Sequence, residues 1–207
     1  MINTAAQCIQ ATLKLAQAIN RGDTVTIIPI TGDADIESTG RVLRFEKPLD
    51  RKPYDADLLE FSKQVQKSLA EFHSWANKHS AARTDIFGAV RMAGEELATF
   101  PKHERIVLVI FSDFLQDDSS VNFNTDRRLS TQASALLFAN DEAKQSSSIH
   151  TTSAITRLAL LRSKDLGKLS RQRREAIRDF WIRYFQVLGM QPEYTTNGIG
   201  LAAARMD

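Results

Sequence analysis

Apolar residues recur along much of this 207-residue chain at steps of three and four, which is the spacing of amphipathic helices. In the strongest case Ile177, Phe180, Trp181 and Tyr184 fall on one stripe, and Gly189 follows as a helix stop. The pattern predicts helices over residues 4–20, 58–76, 86–97, 126–143 and 165–188.

Short runs of β-branched and apolar residues lie between these helices and predict strands. The run from Ile106 to Phe111 is apolar without alternation, which is typical of a strand covered on both faces of a parallel sheet. A short loop joins the first two runs, so we expect them to form an antiparallel hairpin. The predicted strands are residues 24–30, 40–45, 105–112, 154–161 and 191–196.

Helices and strands alternate through most of the chain, and this order predicts the fold class. We expect an α/β fold with a doubly wound, mostly parallel sheet, helices on both faces and an antiparallel hairpin at one edge. The length of 207 residues suits one such unit, so we interpret residues 1–207 as a single domain.

Composition and charge narrow the range of partners. Lys and Arg number 27 against 25 Asp and Glu, so no strong overall field would attract nucleic acid. A local basic face of Arg171, Arg174 and Arg178 could contact phosphate, but we interpret it as a solvated face. No apolar run is long enough to span a membrane. The single cysteine, Cys8, excludes an internal disulfide and favours a cytoplasmic setting.

Polar residues at the carboxyl end of the best predicted strand are the candidates for a binding site. In doubly wound sheets ligands bind outside this end of the strands. Hydroxyl and carboxylate oxygens that meet there suit a hard cation such as Mg²⁺. The structural alternative is local: a serine, threonine or aspartate at a strand end or helix start caps backbone groups. The candidates are Thr84, Asp85, Ser112, Asp113, Asp117 and Asp118.

The segments 83–89 and 105–113, Arg-Thr-Asp-Ile-Phe-Gly-Ala and Arg-Ile-Val-Leu-Val-Ile-Phe-Ser-Asp, resemble part of the von Willebrand factor A family. The resemblance extends over about residues 1–165. It implies that Thr84 and Asp113 belong to a metal-ion-dependent adhesion site. The family's main motif, Asp-x-Ser-x-Ser, is absent, and the serines after Asp118 have the wrong spacing. The resemblance therefore implies an incomplete metal site. It assigns no cofactor with certainty, and Mg²⁺ would bind only if the missing first strand were supplied.

The function that this resemblance implies is protein binding rather than catalysis. The partner, whose identity the sequence does not give, would meet a face formed by the loops at Thr84, Asp113 and Asp117–Asp118. The absence of common enzyme motifs supports this choice. Residues 32–40 lack a Gly-x-Gly-x-x-Gly pattern, and no Gly-x-Ser-x-Gly elbow occurs in the sequence. The alternative is a Mg²⁺-dependent phosphoryl-transfer or hydrolase-type enzyme that uses Asp113 at the strand end.

The missing motif comes with a missing strand. In the family the first strand lies between those matched here by residues 24–30 and 105–112, so its loss leaves two strand edges without a neighbour. Three outcomes are open: the two strands close directly, a partner or second copy donates a strand, or the protein starts upstream of Met1. We favour the upstream start, because the predicted helix from Thr4 begins almost at once.

Overall fold

The computed structural model describes residues 4–33, 41–49, 56–78, 83–100, 106–146 and 154–195, and it confirms a mixed α/β protein. The helices are α1 (Thr4–Ala18), α2 (Ala56–Lys78), α3 (Ile86–Leu97), α4 (Gln132–Gln145), α5 (Lys164–Lys168) and α6 (Arg171–Val187), with a 3-10 turn (Arg127–Leu129) before α4. The strands are β1 (Thr24–Ile27), β2 (Leu43–Glu46), β3 (Val107–Ser112), β4 (Ile155–Leu160) and β5 (Gln191–Thr195). None of the described helices is both long and apolar enough to cross a membrane.

Three strands form a parallel sheet in the order β3-β4-β5. Val107 lies opposite Ile155, and Ile155 lies opposite Gln191. The continuous apolar run predicted as the best strand is thus a strand of a parallel sheet, and it lies at an edge of this sheet. The middle strand is β4, in which Leu158 and Ala159 are at most 1% exposed.

The first two strands form an antiparallel pair, as predicted, with Thr24 opposite Glu46 and Ile27 opposite Leu43. They make a two-stranded sheet of their own rather than the edge of the parallel sheet. Because β1 and β3 do not pair with each other, the direct closure considered above is not found among the described strands. The predicted strand over residues 24–30 ends early at Ile27, since Pro29 has no N–H for a ladder.

The core of the parallel-sheet region is aromatic. Phe180, Trp181, Tyr184 and Phe185 are fully buried, so the predicted stripe is confirmed. Gly189 ends this helix with a φ of +82°, a conformation that favours glycine. The rings of this stripe contact those of α3, α4 and the connection after β3, namely Phe87, Phe114, Phe123 and Phe138.

The helix predicted over residues 165–188 is two helices, α5 and α6. Leu169 between them is extended, with a ψ of 145°, and the Ser170 hydroxyl then caps α6 by accepting a hydrogen bond from the backbone N–H of Arg173. Serine prefers this capping role to a helix interior, which is the physical reason for the break. Residues 40, 105 and 196, at ends of predicted strands, lie outside the described residues.

The hairpin has a smaller core, where α1 and α2 pack against it. An ion pair between Arg21 and Asp57, with a nitrogen to oxygen distance of 2.8 Å, fixes the start of α2. The hydrogen bond from Arg21 lowers the pKa of Asp57 below its ordinary range. The buried apolar residues here are Ala16, Ile19, Phe45, Phe61, Val65 and Leu69.

Candidate functional site

The predicted site begins where β3 ends, with a turn held by its own side chains. The Ser112 hydroxyl accepts a hydrogen bond from the backbone N–H of Phe114 at 3.0 Å. Asp113 Oδ1 accepts one from the backbone N–H of Leu115 at 3.1 Å. Both side chains therefore perform the local capping that the sequence analysis gave as the structural alternative.

Phe114 adopts a left-handed conformation with φ of +60°. This conformation costs roughly 1–2 kcal/mol for a residue with a side chain, so the surroundings must enforce it. Phe114 is fully buried, and its carbonyl oxygen accepts a hydrogen bond from Trp181 Nε1–H at 3.0 Å. The turn after β3 is thus fixed from the core side by α6.

Gln116 is the central residue of the connection between β3 and α4, which we call the β3–α4 loop (residues 113–126). It is fully buried. Its Oε1 accepts hydrogen bonds from the backbone N–H groups of Ile86 and Phe87 at 2.6 and 3.3 Å. These are among the N–H groups that the first turn of a helix leaves without partners, so Gln116 caps α3 from another part of the chain.

The amide nitrogen of Gln116 points the other way and donates to Asp118 Oδ2 at 2.7 Å. Asp118 Oδ1 accepts from the backbone N–H groups of Ser120 and Val121 and from the Ser120 hydroxyl, at 2.6 to 2.8 Å. Burial alone would raise the pKa of Asp118, but these hydrogen bonds outweigh it and hold the pKa below its ordinary 3.8. Asp118 is therefore ionised, and its carboxylate holds the tip of the loop through these hydrogen bonds.

Thr84 and Asp117 lie side by side through their backbones. The N–H of each donates to the carbonyl of the other, at 2.8 and 2.9 Å. The next residue, Asp85, is the N-cap of α3, where its Oδ1 accepts from the backbone N–H of Gly88 at 2.8 Å. The side chain that caps the start of α3 is therefore that of Asp85 and not that of Thr84.

The start of α3 also contacts the chain beyond β1, because the backbone N–H of Asp85 donates to the carbonyl of Thr31 at 2.7 Å. Three segments therefore meet at this end of the molecule: the chain after β1, the start of α3 and the β3–α4 loop. Of the predicted residues, Thr84 contacts Asp117 directly, and Asp85 and Asp118 meet through Gln116. Ser112 and Asp113 begin the same loop.

The far side of the β3–α4 loop is held by Arg173. Its guanidinium donates to the carbonyl of Phe123 at 2.9 and 3.0 Å and to that of Asp126 at 2.7 Å. Sequence reasoning missed Arg173 and Gln116, because a lone arginine on a basic helix and a lone glutamine in a loop give no pattern. The basic residues that it named have partners within α6 or next to it: Arg171 pairs with Glu175, Arg174 binds the Leu169 carbonyl, and Arg178 pairs with Asp179.

The described residues do not fit a Mg²⁺ ion. The oxygens of Asp118 are taken by hydrogen bonds within the loop, and Asp113 gives one of its oxygens to Leu115. Within the described ranges no three Asp, Glu, His or Cys side chains converge as ligands. The affinity for a divalent cation rises with the number of anionic oxygens in one place, and Thr84 with Asp113 supplies a single carboxylate.

What this end of the molecule offers is a fixed surface. Leu115, Val121 and Phe123 are buried anchors of the β3–α4 loop, whereas Ser119 and Ser120 at its tip are exposed. Comparisons with protein-family profiles, curated proteins and solved structures returned no match for this chain.

Proposed function

We propose that this chain is a protein-binding module of the von Willebrand factor A type, and that the β3–α4 loop is its recognition surface. The observation that carries the proposal is Gln116, whose single buried amide joins the start of α3 to the loop tip at Asp118. A loop held in this way is pre-organised, so a partner that binds it does not have to order it first.

The fold that goes with this proposal is a doubly wound sheet with helices on both faces. In this arrangement the hairpin and the parallel sheet are two parts of one sheet, in the order β2-β1-β3-β4-β5 with a space after β1. The hydrogen bond between Asp85 and Thr31 supports it, because it brings the chain after β1 to the end where β3 finishes. Loops at the carboxyl ends of such strands are the usual binding position.

The chemistry of the loop favours contact without a metal. Ser119 and Ser120 are exposed, but the Ser120 hydroxyl and the neighbouring carboxylate of Asp118 are hydrogen-bonded to each other within the loop. A protein partner would therefore be met by hydrogen bonds and apolar contact around these serines. The single cysteine favours a partner in the cytoplasm.

Site-specific photo-crosslinking in cells tests the proposal. A photoreactive residue in place of Ser119 should capture one defined protein, and the same residue in place of Thr99 should not. Thr99 is also an exposed position and lies beyond the far end of α3. A partner that Gln116→Leu also releases would support recognition through the ordered loop.

The opposite result would be hydrolysis. If the purified protein cleaves a generic phosphoester in a Mg²⁺-dependent way, and Asp113→Ala abolishes this cleavage, the binding-module proposal is wrong and the enzyme alternative is right. Capture of the same proteins from Ser119 and from Thr99 would also count against it.

A further inference from the structure

A cavity of about 340 Å³ lies between the hairpin sheet and the parallel sheet. Both strands that face each other across it contribute to its wall, through residues 25–30 of β1 and its continuation and residues 108–111 of β3. Helices α1, α2 and α3 also line it, with Ile9, Leu69, Ala89 and Ala93 among others. Among the described residues of its lining, His73 is titratable and none is Asp, Glu, Lys or Arg.

The edge of β3 that borders this cavity carries backbone groups of known direction. The carbonyl of Ile106 accepts a hydrogen bond from the N–H of Ile155 in β4. The carbonyl of Ser112 accepts one from the N–H of Leu161, the residue directly after β4. Because successive peptide groups of a strand point to opposite edges, the even-numbered residues face β4. The N–H and carbonyl groups of Val107, Val109 and Phe111 therefore point to the other edge, where no described strand pairs with β3.

The opposite wall is β1, which pairs through its other edge with β2. Thr26 of β1 lines the cavity, and its hydroxyl oxygen is buried without a hydrogen-bond partner. A buried hydroxyl without a partner costs free energy, and such groups are uncommon in folded proteins. Both walls thus present hydrogen-bonding groups toward an apolar space.

The burial of the strand residues can be compared between β3 and β4. Leu108, Val109 and Phe111 of β3 are only half-buried, although they belong to an apolar run. In β4, which has a strand on each side, Leu158 and Ala159 are almost fully buried. The burial pattern of β3 has two buried residues, Ile110 and Ser112, where that of β4 has three, Thr156, Leu158 and Ala159.

We propose that this cavity is a strand-binding site, which receives an extended apolar segment of a partner polypeptide. The segment would add a strand beside β3, whose six residues set its length at about six. Backbone hydrogen bonds to Val107, Val109 and Phe111 would hold it, as in other strand-addition interfaces. Its side chains should be largely uncharged, because His73 is the only titratable side chain among the described residues of the lining.

A partner polypeptide fits this site better than a second copy of the chain. Every described strand is already paired within its own sheet, so a second copy would have to break a ladder in order to donate one. The site also differs from the proposed recognition surface, since it does not include Ser119 or Ser120. It therefore stands or fails independently of that surface.

The test uses a synthetic peptide of alternating valine and isoleucine, flanked by lysine pairs for solubility. Amide hydrogen exchange is measured with and without it. We expect the amides of Val107, Val109 and Phe111 to exchange at least tenfold more slowly with the peptide, whereas those of Leu108 and Ile110 are protected from the start. A peptide with the same side chains but N-methylated at every residue should give no such protection, because it lacks the ladder donors on both edges and its methyl groups block close approach to β3.

Filling the cavity provides the matched variant. Ala93→Phe on α3 should abolish the protection by the peptide, and the melting temperature of the free protein should not fall, since the added ring occupies existing space. Ala98→Phe places the same ring at an exposed position just beyond α3 and should leave the protection unchanged. If Ala93→Phe fails to fold, the comparison of the unmodified and the N-methylated peptide on the wild-type protein still tests the proposal.

Three results would overturn the proposal. The first is absence of any protection by the unmodified peptide. The second is equal protection by the N-methylated peptide, which would mean simple apolar adsorption. The third is a dimer of the free protein in sedimentation in which Val109 is already protected, because the occupant would then be a second copy.

Discussion

The two halves of this molecule bury their apolar residues to different degrees. In the half from α3 to β5, Phe180, Trp181 and Tyr184 are fully buried and their rings contact one another. In the half from α1 to α2, all four residues of β1 are half-exposed, and Phe45 is the buried residue of β2.

The two sheets differ in the apolar core that each forms with the helices packed on it. The parallel sheet and α6 enclose a core of interlocking rings, whereas the hairpin has helices packed on it and the cavity at its β1 edge. Regions with fewer buried apolar contacts open locally at a lower free energy. We infer that the hairpin half opens before the aromatic half does.

The largest expected effect comes from truncating the aromatic core. Trp181→Ala removes a fully buried ring and the hydrogen bond to Phe114, and it should cost about 3–5 kcal/mol of unfolding free energy. Phe45→Ala in the hairpin should cost clearly less, because its surroundings can open locally. Urea denaturation followed by circular dichroism measures both. A loss for Phe45→Ala as large as that for Trp181→Ala would mean that the comparison of the two halves is wrong.

High pH should act on the aromatic half first. Burial raises the pKa of Tyr184 and of Tyr194 to about 12 each. In the unfolded chain both hydroxyls ionise near the ordinary value of 10, so the folded state binds these protons more tightly. Their contribution to stability is therefore complete below pH 10 and is lost as the pH rises toward 12.

The measurement is the pH dependence of unfolding free energy between pH 8 and 12, which spans the ordinary and the raised pKa. The slope for one group is at most about 1.4 kcal/mol per pH unit. Tyr184→Phe with Tyr194→Phe should flatten this decline. A decline that the double variant leaves unchanged would place the alkaline-sensitive group elsewhere.

The smallest effect concerns the recognition surface. Asp118→Asn keeps one acceptor oxygen but places an amide where Asp118 accepts from Gln116 or Ser120, and it should cost about 1 kcal/mol. Because the folded pKa of Asp118 is lowered, its contribution is present above pH 3.8 and is lost as the pH falls through the folded value.

Acid titration of stability in the wild type and in Asp118→Asn provides the measurement. The variant should lose less stability between pH 5 and 2, a window around the ordinary pKa of 3.8. Asp57→Asn is the matched control in the hairpin half, where Arg21 lowers the pKa of another carboxyl. Amide hydrogen exchange at the same pH values reports on the β3–α4 loop alone. If Asp118→Asn and Asp57→Asn changed the exchange of the loop amides alike, the β3–α4 loop would not be held independently of the hairpin.

Much of the secondary structure could be predicted from local patterns. The helical stripe of Phe180, Trp181 and Tyr184 and the apolar run at Val107–Ser112 were identified correctly, because periodicity and β-branching act over a few residues. The break before Ser170 and the early end of β1 were missed. Each depends on a competition between a local pattern and one residue's hydrogen bonding.

The candidate site was only partly accessible to the same reasoning. Topology brought the Thr84 and Asp117 segments together, as expected for loops at one end of a sheet. Gln116 and Arg173, which hold the loop, were not predicted, because their partners are about 30 and 50 residues away in the sequence. Long-range side chain to backbone hydrogen bonds leave no periodic trace in one sequence.

The sequence by itself determined where helices and strands form and which faces are apolar, since these depend on side chains a few residues apart. Only the tertiary structure decided that, among the described strands, the hairpin does not pair with the parallel sheet, and that one edge of β3 borders a cavity. The reason is that an apolar strand has the same sequence whether one or both of its edges are paired, because pairing depends on backbone groups that every residue carries.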